Sequence, residues 1–303
     1  MSIIRLTNKV LTALAETYKT FRMIDSPKLY MTLLVKNEED ILESNLQFHK
    51  AMGVDGFIVT DNNSTDGTLE IIKRYQAKGW IKEVIIERAT NYCQKEWVDR
   101  MIMIAKKRYG ADWVINADAD ELWYSPEGNL KIGMMKTRAN VLRCKVISVY
   151  PDESKPFTEW NLMIKSVPNQ EKYGLSLYSI FERQNNKVAH RTASYVQIAQ
   201  GNHKVTMLPA NAVESGIIVY HYNIRSKKHF MEKMINGGKQ YEQHPSKKRG
   251  RHWRYFYQLY KEGLLEQEFD KVIGKSVFQQ LQSDGYLYCD NSIKDFFHKM
   301  RWQ

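Results

Sequence analysis

The sequence predicts an α/β fold: a doubly wound, mostly parallel sheet followed by a C-terminal helical appendage. Three observations lead there. Short apolar runs alternate with segments of helical spacing over the first 125 residues, polar clusters stand directly after several of those runs, and helical spacing takes over beyond about residue 225. Such alternation marks βα units on a parallel sheet.

Residues 30–35 form an apolar run of the kind that is buried as a strand. Ile41, Leu42, Leu46 and Phe48 then predict a helix ending near Gly53. A second strand is expected at 56–60. The polar loop at 61–67 precedes a helix through Leu69, Ile72 and Tyr75, with Ser64 or Thr65 as its expected cap. Residues 81–86 give a third strand, 94–109 a helix with Trp97, Met101, Ile104 and Ala105 on one face, and 112–116 a fourth strand. Past residue 125, strands are expected at 141–149, 176–183, 188–198 and 216–222, and helices from Lys227 onward. The organisation expected is an amphipathic helix at 1–28, an α/β domain at 29–225 with halves 29–125 and 126–225, and an appendage at 226–303.

Composition is that of a globular chain: 303 residues, 43% hydrophobic and 26% charged. No apolar run is long enough to span a bilayer. The first 21 residues mix Leu, Val and Ala with Arg5, Lys9, Glu16 and Lys19, unlike a signal peptide. A cytoplasmic location is therefore expected. Three cysteines, widely spaced, make neither a disulfide framework nor a zinc motif. The formal charge is +11, and residues 222–303 hold sixteen Lys or Arg against nine Asp or Glu. A basic surface attracts nucleotides, phospholipid headgroups, acidic glycans or nucleic acid. Residues 247–257 interleave that charge with aromatics, expected to pack as core beneath a basic outer face.

Polar clusters at residues 36–38, 61–66 and 118–121 each follow a predicted strand. In open α/β sheets, ligands bind beyond the carboxyl ends of the strands, so the three clusters define one composite site. Within it, Asp118 and Asp120 stand i, i+2 at a strand end and can converge on a hard cation. Mg²⁺ and Mn²⁺ take oxygen ligands and bridge carboxylates to phosphate, which neutralises a diphosphate leaving group. Phosphatases of the haloacid-dehalogenase type also place Asp-x-Asp after a strand, but near the start of the fold and with Thr or Val where this chain has Leu122. A nucleotidyltransferase on a related sheet would carry a Gly-rich loop after the first strand, absent at 35–38. A non-enzymatic nucleic-acid-binding protein would have no use for Asp120.

Together, Val35-Lys36-Asn37-Glu38, Asp61-Asn62-Asn63-Ser64-Thr65-Asp66-Gly67-Thr68 and Trp113 to Leu122, with its Asn116-Ala117-Asp118-Ala119-Asp120-Glu121 core, resemble family-2-like glycosyltransferases with the GT-A fold. Gly201-Asn202-His203 and His221 to Ser226 also resemble the bacterial branch of that family, and the resemblance spans roughly residues 30 to 240. It implies a nucleotide-diphosphate sugar donor (a UDP-sugar foremost), Mn²⁺ or Mg²⁺, and transfer to an acceptor hydroxyl with inversion. The implied acceptor is a surface glycan or its lipid-linked precursor; the basic face of residues 247–257 suggests peripheral membrane contact, and no nucleic acid partner is expected. By position, Val35, Asn37, Glu38, Asp61 and Asn63 border the nucleoside, Asp118 touches ribose or metal, and Asp120 is the principal metal ligand. His221 is a candidate third ligand.

An inverting transferase needs a general base. Glu182, Glu153, Asp152 and His203 are candidates by position, and Arg225, Lys228 and Lys233 are placed to neutralise phosphates.

Overall fold

The computed structural model describes residue 18 and residues 20–89, 93–242 and 250–300. The helix expected at 1–28 falls largely outside these, as do residues 247–249 of the basic-aromatic stretch. The chain divides into two compact units, each discontinuous in sequence.

The first unit, 1–89, 93–146 and 185–219, contains most of an eight-stranded sheet. In chain order its early elements are β1 (Leu29–Val35), α1 (Leu42–Ala51), β2 (Gly56–Asp61), α2 (Thr68–Ala77), β3 (Ile81–Ile86), α3 (Gln94–Tyr109), β4 (Trp113–Ala117), β5 (Glu121–Tyr124), α4 (Leu130–Met135) and β6 (Val141–Ser148). After the short strand β7 (Leu162–Ile164), which belongs to the second unit, come β8 (Lys187–Arg191), β9 (Tyr195–Ile198), β10 (Val205–Met207) and β11 (Ala212–His221).

The sheet order is β3-β2-β1-β4-β8-β6-β11-β5. The first four strands are parallel, β8 runs antiparallel to β4, and β6 antiparallel to β8. This is the α/β architecture expected, with the strand order reversing between β1 and β4. Both faces are covered. Tyr30, Ile58 and Val114 pack against Val98, Met101, Ile102 and Ala105 of α3. The alternate positions Met31, Phe57 and Ile115 point to the opposite face and are equally buried.

The second unit, 90–92, 147–184 and 220–303, contains α5 (Lys227–Glu242), α6 (Arg251–Lys261), α7 (Leu265–Val272), α8 (Phe278–Ser283), β12 (Leu287–Cys289) and α9 (Ser292–Met300). Its core gathers Phe181, Phe230, Phe256, Phe269 and Leu281. Phe256 meets Phe230 edge-on at 5.2 Å, so the aromatics of the basic stretch that are described pack inward as expected. Strand β12 pairs antiparallel with β7, a pairing not anticipated in the helical appendage. Among the described residues, no helix is long and apolar enough to cross a membrane.

Three local expectations are corrected. Residues 176–183 are not a strand. Ser176 and Ser179 accept the N–H groups of Tyr178 and Phe181 at 3.4 and 3.2 Å, and these serine turns bend the chain out of a ladder. The strand expected at 188–198 is two strands, broken where Ser194 takes φ +62°. Ser64 and Thr65 do not cap α2. Asp66 Oδ1 accepts the Thr68 N–H at 3.0 Å instead, freeing the hydroxyl residues for the neighbouring loop.

Candidate active site

Register brings the polar clusters to one edge. Asp61 lies level with Val35, and Ala117 level with Leu33 two residues earlier, so the turn after β4 emerges beside the loop after β1. That is the switch point, where doubly wound sheets open a crevice.

The loops after β1 and β2 are tied to each other. Asn37 N–H donates to Ser64 Oγ at 3.0 Å, Glu38 N–H to Thr68 Oγ1 at 2.8 Å, and Glu39 N–H to Asp66 Oδ2 at 3.2 Å. In return, Thr65 and Gly67 N–H donate to Asn37 Oδ1 and Glu39 Oε2 at 2.8 and 2.6 Å. Asn37 and Asn63 both adopt positive φ, which asparagine tolerates better than most side chains. The Asn37 side-chain oxygen thus ties the two loops together.

Asp61 is 1% exposed. Its Oδ2 accepts Ser64 N–H at 3.2 Å, while Oδ1 has no hydrogen-bond partner among the described residues. A buried carboxylate oxygen without a donor costs free energy, and such an atom at a sheet's ligand edge calls for an N–H or O–H from a ligand.

The acidic turn is held from α1. Asn45 Nδ2 donates to the carbonyls of Ala119 and Glu121 at 2.8 and 3.0 Å, and His49 Nε2 accepts the Trp123 N–H at 3.0 Å. Asn45 and His49 are one helical turn apart, so one face of α1 grips the turn. Burial pulls the His49 pKa down to about 3, which keeps the ring neutral.

Behind the turn, Lys187 of β8 places Nζ 2.7 Å from Glu121 Oε1 and 3.0 Å from Asp118 Oδ2. Burial alone would lower the Lys187 pKa, but the charges of Asp118 and Glu121 outweigh it and raise it above the ordinary lysine range. Asp120 is buried. Among the described residues, no three His, Cys, Asp or Glu side chains converge as a closed cation cage. The oxygen donors of the turn do suit a hard cation held by one or two carboxylates and completed by phosphate oxygens, the usual manner of Mg²⁺.

Beneath the turn runs a buried polar chain. Thr32 Oγ1 donates to Asn116 Oδ1 at 2.7 Å, and Asn116 Nδ2 meets His190 Nε2 at 3.0 Å. His190 is also neutral, its pKa lowered by burial to about 4.

The first unit therefore brings Val35, Asn37, Glu38, Asp61, Asn63, Asp118 and Asp120 to one sheet edge. His203, also in this unit, turns its Nδ1 to the carbonyl of Asn186 at 3.1 Å. Glu153, Glu182, His221, Arg225 and Lys233 belong to the second unit. There Glu153 accepts the Lys227 N–H at 3.2 Å, the His221 carbonyl accepts the Val149 N–H at 3.1 Å, and Arg225 is buried. Glu182 is exposed, and desolvation raises its carboxyl pKa, whereas Asp152 is lowered by Ser154 and Lys155. Sequence reasoning missed Asn45, His49, Glu121 and Lys187. The i, i+4 pair on α1 was a usable signal; Lys187, 69 residues from Asp118, had none.

No family model matches the chain, and no curated protein matches it. Solved structures do. TarS of S. aureus is 15% identical at TM-score 0.41, covering 76% of this chain and 43% of its own. The mannosyltransferase PcManGT of Pyrobaculum calidifontis, solved with GDP-Man and Mn²⁺, is 10% identical at TM-score 0.42, covering 91% and 83%. Glucosyl-3-phosphoglycerate synthase of Mycobacterium tuberculosis is 21% identical at TM-score 0.29, covering 40% and 44%.

Proposed function

We propose that this protein is a metal-dependent glycosyltransferase that moves a sugar from a nucleotide diphosphate to an acceptor hydroxyl. The observation that carries this is the pairing, at one switch-point edge, of an acidic turn with the unpartnered buried oxygen of Asp61. Asp61 accepts an N–H or O–H of the nucleoside. Asp118 and Asp120 hold Mn²⁺ or Mg²⁺ against the diphosphate, and the bound cation supplies neutralisation of the leaving group's charge. Val35, Glu38 and Asn63 border the nucleoside, while the loop pairing around Asn37 shapes that border.

In the inverting course, the acceptor oxygen attacks the anomeric carbon, the bond from that carbon to the diphosphate oxygen breaks, and a general base takes the hydroxyl proton. His203, in the same unit as the acidic turn, is a candidate for that base. The acceptor assigned is a surface glycan or lipid-linked precursor, handled in the cytoplasm at the inner membrane face, for which the basic C-terminal helices provide the attraction.

The test is a thermal-shift screen of nucleotide-sugars with and without Mn²⁺, followed by hydrolysis of the donor that binds. A donor that raises the melting temperature only with metal, and an Asp120→Ala variant that folds but neither binds nor hydrolyses it, are expected. Full activity of Asp120→Ala, or in excess chelator, would remove the metal role.

A further inference from the structure

We propose that the cavity of the second unit binds a saccharide bearing one anionic group, with Lys275 as the cation that takes that group. The cavity holds about 770 Å³, within the size range of ligand clefts, and every residue lining it belongs to the second unit. The site does not depend on the transferase reading, which would make its occupant a stretch of acceptor glycan.

Lys155 and Asp152 both line the cavity, but Lys155 Nζ lies 2.9 Å from Asp152 Oδ2, so this pair satisfies itself. Lys275 is exposed and makes no ion pair among the described residues. One surplus positive charge suits a single anionic group rather than a polyphosphate. The corner that presents Lys275 is fixed by Gly274, which takes φ +64° and where a Cβ would lie 2.8 Å from Cδ1 of Leu281.

The uncharged lining supplies the rest. Tyr150 is 9% exposed, and its hydroxyl has no hydrogen-bond partner among the described residues, which leaves it for a ligand or for water. Burial raises its pKa to about 12, so the hydroxyl stays a donor at neutral pH. Asn161 gives Nδ2 to Asn291 Oδ1 at 2.8 Å, leaving its own Oδ1 to accept. The Gln280 side chain has no partner among the described residues. The ring of Phe278, 5.1 Å from that of Tyr150, adds an apolar wall. A hydroxyl donor, amide groups and an apolar wall around one ammonium fit a sugar ring. Its hydroxyls meet the polar groups, its C–H face meets the aromatic ring, and its carboxylate or phosphate meets Lys275.

The full chain, without Mn²⁺ or UDP, is titrated with glucuronic acid, glucose 6-phosphate and glucose by saturation-transfer NMR, with inorganic phosphate as competitor. An anionic sugar is expected to bind with Kd on the order of 1 mM, and glucose at least about tenfold more weakly. Preference for glucuronic acid assigns a carboxylate sugar, preference for glucose 6-phosphate a phosphosugar, and either supports the proposal. Lys275→Met should weaken the anionic sugar about tenfold, and Gln280→Leu about threefold. Both change exposed side chains, and melting curves verify the fold. Absence of binding by both anionic sugars, or unchanged binding in either variant, overturns the proposal. Inorganic phosphate that displaces the sugar at equal concentration overturns the saccharide class, since a bare anion would then suffice. None of these outcomes moves the Mn²⁺-dependent thermal shift with a nucleotide-sugar, which tests the transferase reading by itself.

Discussion

His49 accepts the backbone N–H of Trp123 on Nε2 at 3.0 Å, and therefore carries its proton on Nδ1, which donates to the carbonyl of Asn45 at 2.9 Å. The imidazole and the Asn45 amide form one clamp on the acidic turn. Asn45→Leu removes the amide hydrogen bonds to the buried carbonyls of Ala119 and Glu121. A loss of about 1–3 kcal/mol is expected, at roughly 0.5–1.5 kcal/mol per hydrogen bond removed, measured by urea unfolding. Donor hydrolysis should fall further than stability does, because the turn carrying Asp118 and Asp120 loses its anchor. Unaltered hydrolysis in a folded variant would show that the clamp is dispensable.

The same neutrality sets a pH dependence. His49 and His190 are held at about 3 and about 4, against 6.5 in the unfolded chain. Between those values the unfolded state binds more protons, so the contribution to stability is whole above pH 6.5 and is lost as pH falls toward 4 and then 3. The slope is up to about 1.4 kcal/mol per pH unit for each histidine. Urea midpoints at pH 7 and pH 5 measure it. His190→Asn should be less stable at pH 7 yet show a shallower slope, and an identical slope would mean that His190 titrates freely.

Asp61→Asn separates binding from folding. The change removes a buried carboxylate oxygen that has no partner among the described residues, so stability should hold or rise. Nucleotide affinity should fall about tenfold or more, because loss of a charged acceptor costs about 1.5–3 kcal/mol. Calorimetry with UDP and a melting curve give both values. Unchanged affinity would take the nucleoside away from Asp61.

Two helical glycines in α5 are positions of close approach. A Cβ on Gly237 would sit 2.2 Å from Cε3 of Trp253, and one on Gly238 2.2 Å from Cβ of Tyr257. Helix propensity favours alanine by about 1 kcal/mol, but the overlap with α6 is larger, and Gly238→Ala should cost about 1–3 kcal/mol. Gly133 in α4 has nothing within 4 Å, so Gly133→Ala should stabilise by up to about 1 kcal/mol. Opposite shifts in melting temperature are the expected result, and shifts of one sign would contradict the packing.

Much of the α/β half was legible because its signals are local. Apolar runs gave β1 to β4, and the polar clusters after them reach one edge because parallel register puts them there. What was not legible depends on distance. Lys187 reaches an acidic turn 69 residues away, and nothing in its own neighbourhood announces that. Residues 176–183 have the composition of a strand, but two serines compete for the backbone. The Asn37 side-chain oxygen accepts the Thr65 N–H, a pairing visible only once both loops are folded.

The bonds joining the loop after β1 to the loop after β2 have a bearing on how the molecule acquires its order. They span only 27 to 30 residues, so closing them costs little chain entropy. The Thr32–Asn116 bond spans 84 residues, and Lys187 of β8 reaches Asp118 across 69. The paired loops can therefore form early, as a local βαβ unit, while the acidic turn awaits long-range closure. Substitutions such as Thr68→Ala should slow refolding, and those at Lys187 should chiefly hasten unfolding, a division that stopped-flow kinetics reads directly. One half of the site would thus be a product of nucleation and the other of final consolidation.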